Sequence, residues 1–260
     1  YKPNIVIHAA AVKHIAICQF NPIEATKTNV EGTRTLIKAS IKNNVKKFLL
    51  ISTDKAVDPT SVMGTSKLKA EKITQQANYH KNSNTKLSCI RFGNVIGSRG
   101  SVLPLFINQI RNKNPITITN EKMTRFFMSL DGAVNLIKQS LYLMRGNEIF
   151  ILKTMKSFKI IDVAIALNDL LRKNKRKNIK FIGRKPGEKI YESLFSKKDN
   201  EFMCESKNMF IINKNLSKNK MLKFYKARVK KKYNIYRSDN PKFILKENEI
   251  KKFLIKYLSK

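Results

Sequence analysis

Cysteine is scarce in this chain of 260 residues: Cys18, Cys89 and Cys204 lie far apart and are odd in number. They fit neither a disulfide framework nor the paired spacing of a zinc site. No metal is therefore expected, and a reducing cytoplasm is the expected compartment. No apolar run is longer than a strand, so no membrane-spanning helix is expected, and no secretory leader is visible. Internal repeats and Gly/Ser- or Pro-rich linkers are also missing. Acids are few, 18 Asp and Glu against 53 Lys and Arg, for a net charge of +35. That balance raises nucleic-acid binding as a function. However, Lys far outnumbers Arg, Asn and Ile are abundant too, and the lysines spread over every segment. A phosphate-reading face clusters its cations and favours the Arg fork. The charge reads as compositional drift, and no nucleic-acid partner is expected. Finally, no glycine-rich strand–turn–helix precedes the first strand, and residue 1 is Tyr. The chain reads as truncated at its amino end.

What is present is a hydrophobic fraction of 42% and an alternation of strand and helix signals. Strands are expected at Ile5–His8, Lys46–Ser52 and Lys86–Phe92, and helices at Ile23–Asn43, after the Asn21-Pro22 break, and Ser61–Asn78. Such units predict an α/β fold: a Rossmann-like, doubly wound parallel sheet with right-handed crossovers. Beyond Gly100 the rhythm changes. Helices are expected at Leu103–Asn112, Leu130–Leu143 and Phe158–Leu171, and short strands at Ile116–Thr119, Glu148–Leu152 and Ile179–Ile182. The expected organisation is a dinucleotide-binding remainder over 1–102, to which some later segments return. A smaller mixed α/β substrate lobe follows over 103–215. A Lys-rich extension over 216–260 ends in a helix at Ile244–Leu258.

Several constellations carry chemistry. The stretch Ile51–Lys67, ISTDKAVDPTSVMGTSK, follows the apolar strand residues Phe48-Leu49-Leu50. Polar groups at the carboxyl end of a buried parallel strand are where α/β sheets place their ligands. Asp54 and Lys55 can each give or take a proton and so act on two atoms of one substrate. A solvated turn with a capping Asp explains the four residues Ser52 to Lys55 equally well, and Asp58-Pro59 is turn chemistry. Met63 and Lys67 share a helix face. Lys67 can hold a ribose, but a core methionine beside a surface lysine is the plainer reading. His8-Ala9-Ala10-Ala11 puts small residues after a strand, for a flat ligand or for ordinary close packing. Arg91 to Gly100, RFGNVIGSRG, offers backbone N–H groups, Asn94 and Arg99 to phosphate oxygens. Thr124-Arg125 and Gly183–Lys189 (GRKPGEK) add Arg sites in expected loops. Taken singly, each of these is as readily a surface salt bridge.

In order, the segments HAAAVKH, NPIEATKTNVEGT, STDKAVDPTSVMGTSK, RFGNVIGSRGSVLPLF, MTRFFMS and GRKPGEKIYES resemble one family. It is the extended short-chain dehydrogenase/reductase superfamily, in its polysaccharide-biosynthesis group. That group holds UDP-N-acetylglucosamine 4,6-dehydratases and CapD-type proteins named UDP-glucose 4-epimerases. The resemblance runs from Lys2 to Ile212 and returns weakly at Tyr236–Leu254. It implies a tightly bound, recycled NADP or NAD, a UDP-sugar substrate and a homo-oligomer. Ala9, Ile51 and Ser52 would line the cofactor, Lys67 would hold its ribose, and Val95, Ile96, Gly97, Ser98 and Arg99 would continue that wall. Lys13 and Asn94 would touch the nucleotide-sugar, and Arg125, Arg184 and Glu188 would grip its UDP portion. Thr53, Asp54 and Lys55 would face the sugar, with Lys55 as base at C5 and Asp54 as acid at the C6 hydroxyl. Met63 stands where the wider superfamily carries a tyrosine. A thioether cannot take the O4 proton, so Thr53 with Lys67, or Asp54, would share that task. The implied activity is a 4,6-dehydratase. A 4-epimerase is the same-fold rival, and a non-catalytic basic binding protein the rival of another class.

Overall fold

A computed structural model describes residues 1–80, 84–98, 100–172, 178–228 and 236–259. From the amino end the chain runs β1 (Ile5–His8), α1 (Ile15–Phe20), α2 (Pro22–Thr26), a π-helical turn Lys27–Glu31 and α3 (Gly32–Lys42). Then come β2 (Lys47–Thr53), a 3-10 turn Asp54–Ala56, α4 (Val62–Gln76) and β3 (Lys86–Phe92). β4 (Asn94–Val95), α5 (Val102–Arg111), β5 (Ile116–Ile118), β6 (Thr124–Met128) and α6 (Leu130–Leu143) follow. The remainder is β7 (Ile149–Leu152), β8 (Lys156–Lys159), α7 (Ile160–Leu171), β9 (Ile179–Phe181), β10 (Met203–Glu205), β11 (Met209–Ile212), α8 (Lys218–Tyr225) and α9 (Glu247–Leu258).

The chain divides into two compact units. The first comprises Tyr1–Phe92, Asp131–Thr154 and Ser193–Tyr236; the second comprises Gly93–Leu130, Met155–Glu192 and Arg237–Lys260. The first unit holds a six-stranded sheet in the order β1-β2-β3-β7-β11-β10. β1, β2, β3 and β7 run parallel, and β11 and β10 close it antiparallel. This is the parallel-dominated α/β fold read from the strand–helix alternation. Phe48, Leu49 and Leu50 of β2 are fully buried, each contributing about 1.5–3 kcal/mol. That continuous apolar run is the mark of a parallel strand covered on both faces.

The second unit pairs β4 parallel with β6 and β6 antiparallel with β8, while β5 pairs parallel with β9. Its core gathers Leu103, Phe106 and Ile110 of α5, Val163, Ala164 and Leu167 of α7, and Ile250 and Leu254 of α9.

Three local expectations are corrected. The helical stretch expected over Ile23–Asn43 is not a single α-helix but α2, a π-turn and α3 in succession, with Asn29 of the π-turn bonded to Val12. Thr124-Arg125 is not a loop but the start of β6, whose five residues are all buried and so show no alternation. The helix expected from Phe158 starts at Ile160, since Lys156–Lys159 pairs with β6 as β8.

Candidate active site

The chemistry of the first unit collects where β2 ends. Thr53 has extended backbone and its hydroxyl accepts from Lys55 N at 3.4 Å, starting the 3-10 turn Asp54–Ala56. The turn places Asp54 fully inside the protein. Its Oδ1 accepts from Thr53 Oγ1 at 2.8 Å and from Lys55 Nζ at 3.0 Å, while Oδ2 is buried with no hydrogen-bond partner. The Lys55 side chain is 15% exposed. A solvated turn is therefore the wrong description of these residues. A buried carboxylate oxygen without a donor is costly.

Helix α4 sits against this turn. Ser61 caps it by accepting from Gly64 N at 3.1 Å. A Cβ on Gly64 would lie 2.4 Å from Lys55 O, so only glycine permits this approach. One turn on, Lys67 is buried and donates from Nζ to Ile51 O at 2.6 Å. Burial holds its pKa below the ordinary lysine value, against the opposing pull of the nearby Glu71 carboxylate. Lys67 is thus no surface lysine. Met63 is a core residue, packed with Cys18 and Ala25. Ser52 Oγ is buried without a partner. Ala9 is exposed past the end of β1, so its small size is not spent on packing, and Lys13 is exposed as well.

Groups to which sequence reasoning gave no role of their own complete this shell. Asn29, in the π-turn, accepts from Val12 N at 2.8 Å and donates to Val12 O and to Ser66 Oγ, each at 3.0 Å. It thereby ties the segment after β1 to α4, and π-turns recur at functional sites. His8 Nε2 lies 3.0 Å from Thr33 Oγ1, whose single proton goes to Asn29 O at 2.7 Å. His8 Nε2 is therefore the protonated nitrogen. Burial first, and the charge of Lys67 second, push the His8 pKa down. Arg91 forks onto Glu71 at 3.0 and 2.9 Å, and its Nη1 reaches Leu194 O and Asp199. Paired with Arg91, Glu71 leaves Lys67 to Ile51.

The second unit holds the remaining candidates. Asn94 and Val95 form β4 beside Phe127 and Met128, and Ile96 N donates to Met128 O at 3.0 Å. Gly97 has φ +71°, and a Cβ there would meet Tyr257 of α9 at 2.8 Å. Ser98 N donates to Val95 O at 3.3 Å. Arg99 lies outside the described residues. Arg184 is exposed, and Glu188 Oε2 accepts from Lys185 N at 3.1 Å within its own turn. Arg125 is buried, and its guanidinium donates to backbone carbonyls.

A family model described as "Polysaccharide biosynthesis protein" matches residues 1–214. A UDP-glucose 4-epimerase of Rickettsia canadensis is 47% identical over 75% of this chain and 57% of its own. An inverting UDP-N-acetylglucosamine 4,6-dehydratase of Campylobacter jejuni is 40% identical over 80% of this chain and 61% of its own. The chain thus spans about three-fifths of the length of these relatives. Among solved structures, Pen from Bacillus thuringiensis superposes with a TM-score of 0.88 at 38% identity, covering 97% of this chain and 75% of that one. The dTDP-glucose 4,6-dehydratase DesIV of Streptomyces venezuelae, solved with NAD bound, has a TM-score of 0.66 at 16% identity, covering 88% and 69%. At that identity it speaks for the fold alone.

Proposed function

Since the chain belongs to the polysaccharide biosynthesis protein family, we propose that it carries the catalytic part of an NAD(P)-dependent UDP-N-acetylglucosamine 4,6-dehydratase. The observation that carries this reading is the cluster at the end of β2: Asp54, buried and bonded through Oδ1 to Thr53 and Lys55, beside Lys55, whose side chain is 15% exposed. A bound nicotinamide supplies reversible hydride acceptance, at the sugar C4 and then back to C6. The residues present fit such a cofactor: a buried lysine at the strand end, the unpartnered Ser52 hydroxyl and the exposed Ala9. Lys67 would hold the ribose, with Ser52, Ile51 and Ala9 along the ring.

The chain's own work is proton transfer. Passing the shared proton along the 3.0 Å contact from Lys55 Nζ to Asp54 leaves a neutral amine and a carboxylic acid side by side. Once C4 is a ketone, the C5–H is acidic. Lys55 takes that proton, the C5–C6 double bond forms, and Asp54 protonates the C6 hydroxyl, which departs as water. The ammonium–carboxylate pair is thereby restored. Lys55 then returns a proton to C5. Met63 has no acid–base group and packs in the core. The proton released from O4 is therefore assigned to Thr53 with Lys67, from which it returns to Lys55 to reset the pair, or to Asp54. In the latter case O4 rather than Lys55 supplies the proton that Asp54 gives to the C6 hydroxyl, and Lys55 begins and ends the cycle as the neutral amine. Lys13, Asn94, Arg184 and Glu188 are assigned to the nucleotide-sugar.

The likeness to the Rickettsia protein supports a second reading, a UDP-sugar 4-epimerase. Incubating the full protein with UDP-N-acetylglucosamine and NAD(P) separates the two. Dehydration yields a product lighter by one water, whereas epimerisation leaves the mass unchanged. An unchanged mass together with a new C4 epimer would replace the dehydratase reading.

A further inference from the structure

We propose that Arg125 is a positioning residue, which fixes the exit of the 183–188 loop and presents Arg184 to the nucleotide, rather than a ligand of the diphosphate. The ligand's identity rests on the nucleotide-sugar reading above.

Arg125 sits near the start of β6 and is only 6% exposed. Its Nη1 donates to Thr124 O at 2.7 Å and to Ile190 O at 3.3 Å, its Nη2 donates to Lys189 O at 2.9 Å, and its Nε lies 3.8 Å from Glu192 Oε1. Thr124 N adds a bond to Ile190 O at 2.9 Å. On the far side of the same segment, Glu192 N donates to Ser238 Oγ and Ser238 N to Glu192 O, both at 2.9 Å, while Ser238 Oγ meets Thr124 Oγ1 at 2.8 Å. Residues 189–192 are stapled from two directions.

The loop just before them is held differently. It is anchored at its entry by Ile182 N on Ile118 O at 2.9 Å. It then passes through Gly183 (φ +78°) and Gly187 (φ +80°), with a turn in which Glu188 N reaches Lys185 O and Glu188 Oε2 caps Lys185 N. A short run with two positive-φ glycines has many conformations, and fixing both ends removes most of them. The planar fork of arginine suits two or three converging carbonyls, and a lysine ammonium cannot reproduce it. A diphosphate needs an accessible fork. Arg184 is exposed, whereas the donors of Arg125 are spent on backbone oxygens.

The test uses the full protein, with UDP as the probe. Amide hydrogen exchange across 183–191 and UDP affinity are measured for wild type, Arg125→Lys, Arg184→Ala and the double variant. The expected result is faster exchange in Arg125→Lys and UDP binding about tenfold weaker, the size of a coupling within one hydrogen-bonded network. In the Arg184→Ala background the lysine substitution should weaken UDP no further. Unchanged exchange, or weakening that adds fully to that of Arg184→Ala, would overturn the proposal, because additivity marks a direct contact. If Arg125→Lys fails to fold, Glu192→Gln loosens the same clamp and is read by the same two measurements. Should wild type not bind UDP while Arg125→Lys still frees the loop amides, the nucleotide reading falls and the positioning role stands.

Discussion

Lys55 and His8 show how far single side chains can be read. Lys55 lies on the Asp54 carboxylate at 3.0 Å. Replacing it by alanine removes the proposed base and none of the residues assigned to the nucleotide. Lys55→Ala should therefore abolish dehydration of UDP-N-acetylglucosamine while UDP affinity stays within about twofold, as removal of a group acting only in the transition state predicts. Turnover retained by that variant, followed by mass spectrometry, would remove Lys55 from the mechanism. His8 gives a pH dependence. Its pKa is lowered from 6.5 by burial and by Lys67. On acidification through 6.5 the unfolded chain binds the proton first, so stability falls as pH drops from 6.5 toward the depressed folded value. Urea denaturation of wild type and His8→Gln over that window should show a shallower decline in the variant. Asp199 acts at lower pH: the Arg91 guanidinium holds its carboxyl below 3.8 despite burial. Its stabilisation is therefore present above 3.8 and lost as pH falls through the depressed value.

Among elements, α4 and the π-turn before α3 hold the residues of the proposed site. α4 is capped by Ser61, meets the Asp54–Ala56 turn at Gly64 and delivers Lys67 to Ile51. A methyl group at Gly64 would press on the Lys55 carbonyl at 2.4 Å. Gly64→Ala is therefore expected to cost about 1–3 kcal/mol, as overpacking does, and to lower turnover by displacing Lys55. Thermal melts and kinetics on the same preparation check both effects. Asn29 is the corresponding point in the π-turn. Asn29→Ala leaves Val12 N and Val12 O without their side-chain partner, and should cost about 2–4 kcal/mol in urea denaturation.

At the scale of the whole molecule, charge matters most. With +35 spread along the chain, self-repulsion opposes the compact state. Raising salt shortens the screening length from about 30 Å at 0.01 M to about 8 Å at 0.15 M. The melting temperature should rise over that range, and a flat response would mean that local pairing already cancels the charge. No helix among the described residues is long and apolar enough to cross a membrane. The division into two units follows no single cut in the sequence, since segments 131–154 and 193–236 return to the first unit. Composition does not change where the chain crosses over, at Phe92, Leu130, Thr154, Glu192 and Tyr236, and the crossings are set by distant partners. Leu194 N bonds Tyr236 O, and Tyr236 OH bonds Lys153 O.

Elements whose stabilisation is local or strongly patterned were legible in the residues themselves. β3 was expected and found at Lys86–Phe92, while α5 and α6 kept their amphipathic spacing. The parallel sheet followed from strands alternating with helices, whereas Asp54 and Lys55 were singled out by their place after a buried strand with a solvated turn as an equal reading. Tertiary structure alone decided the rest, because those features depend on partners far along the chain. β6 is buried throughout and pairs with β4 and β8, so no alternation betrays it. β10 and β11 exist because β11 finds β7. Asn29 is polar in a helical stretch until Val12 and Ser66 engage it. Arg125 reads as a loop cation until its fork meets the carbonyls of Lys189 and Ile190, and Lys67 reads as a surface lysine until its Nζ reaches the Ile51 carbonyl. Local chemistry determined which residue types were available, and packing over long sequence separations determined which of them are buried and which hold the others in place.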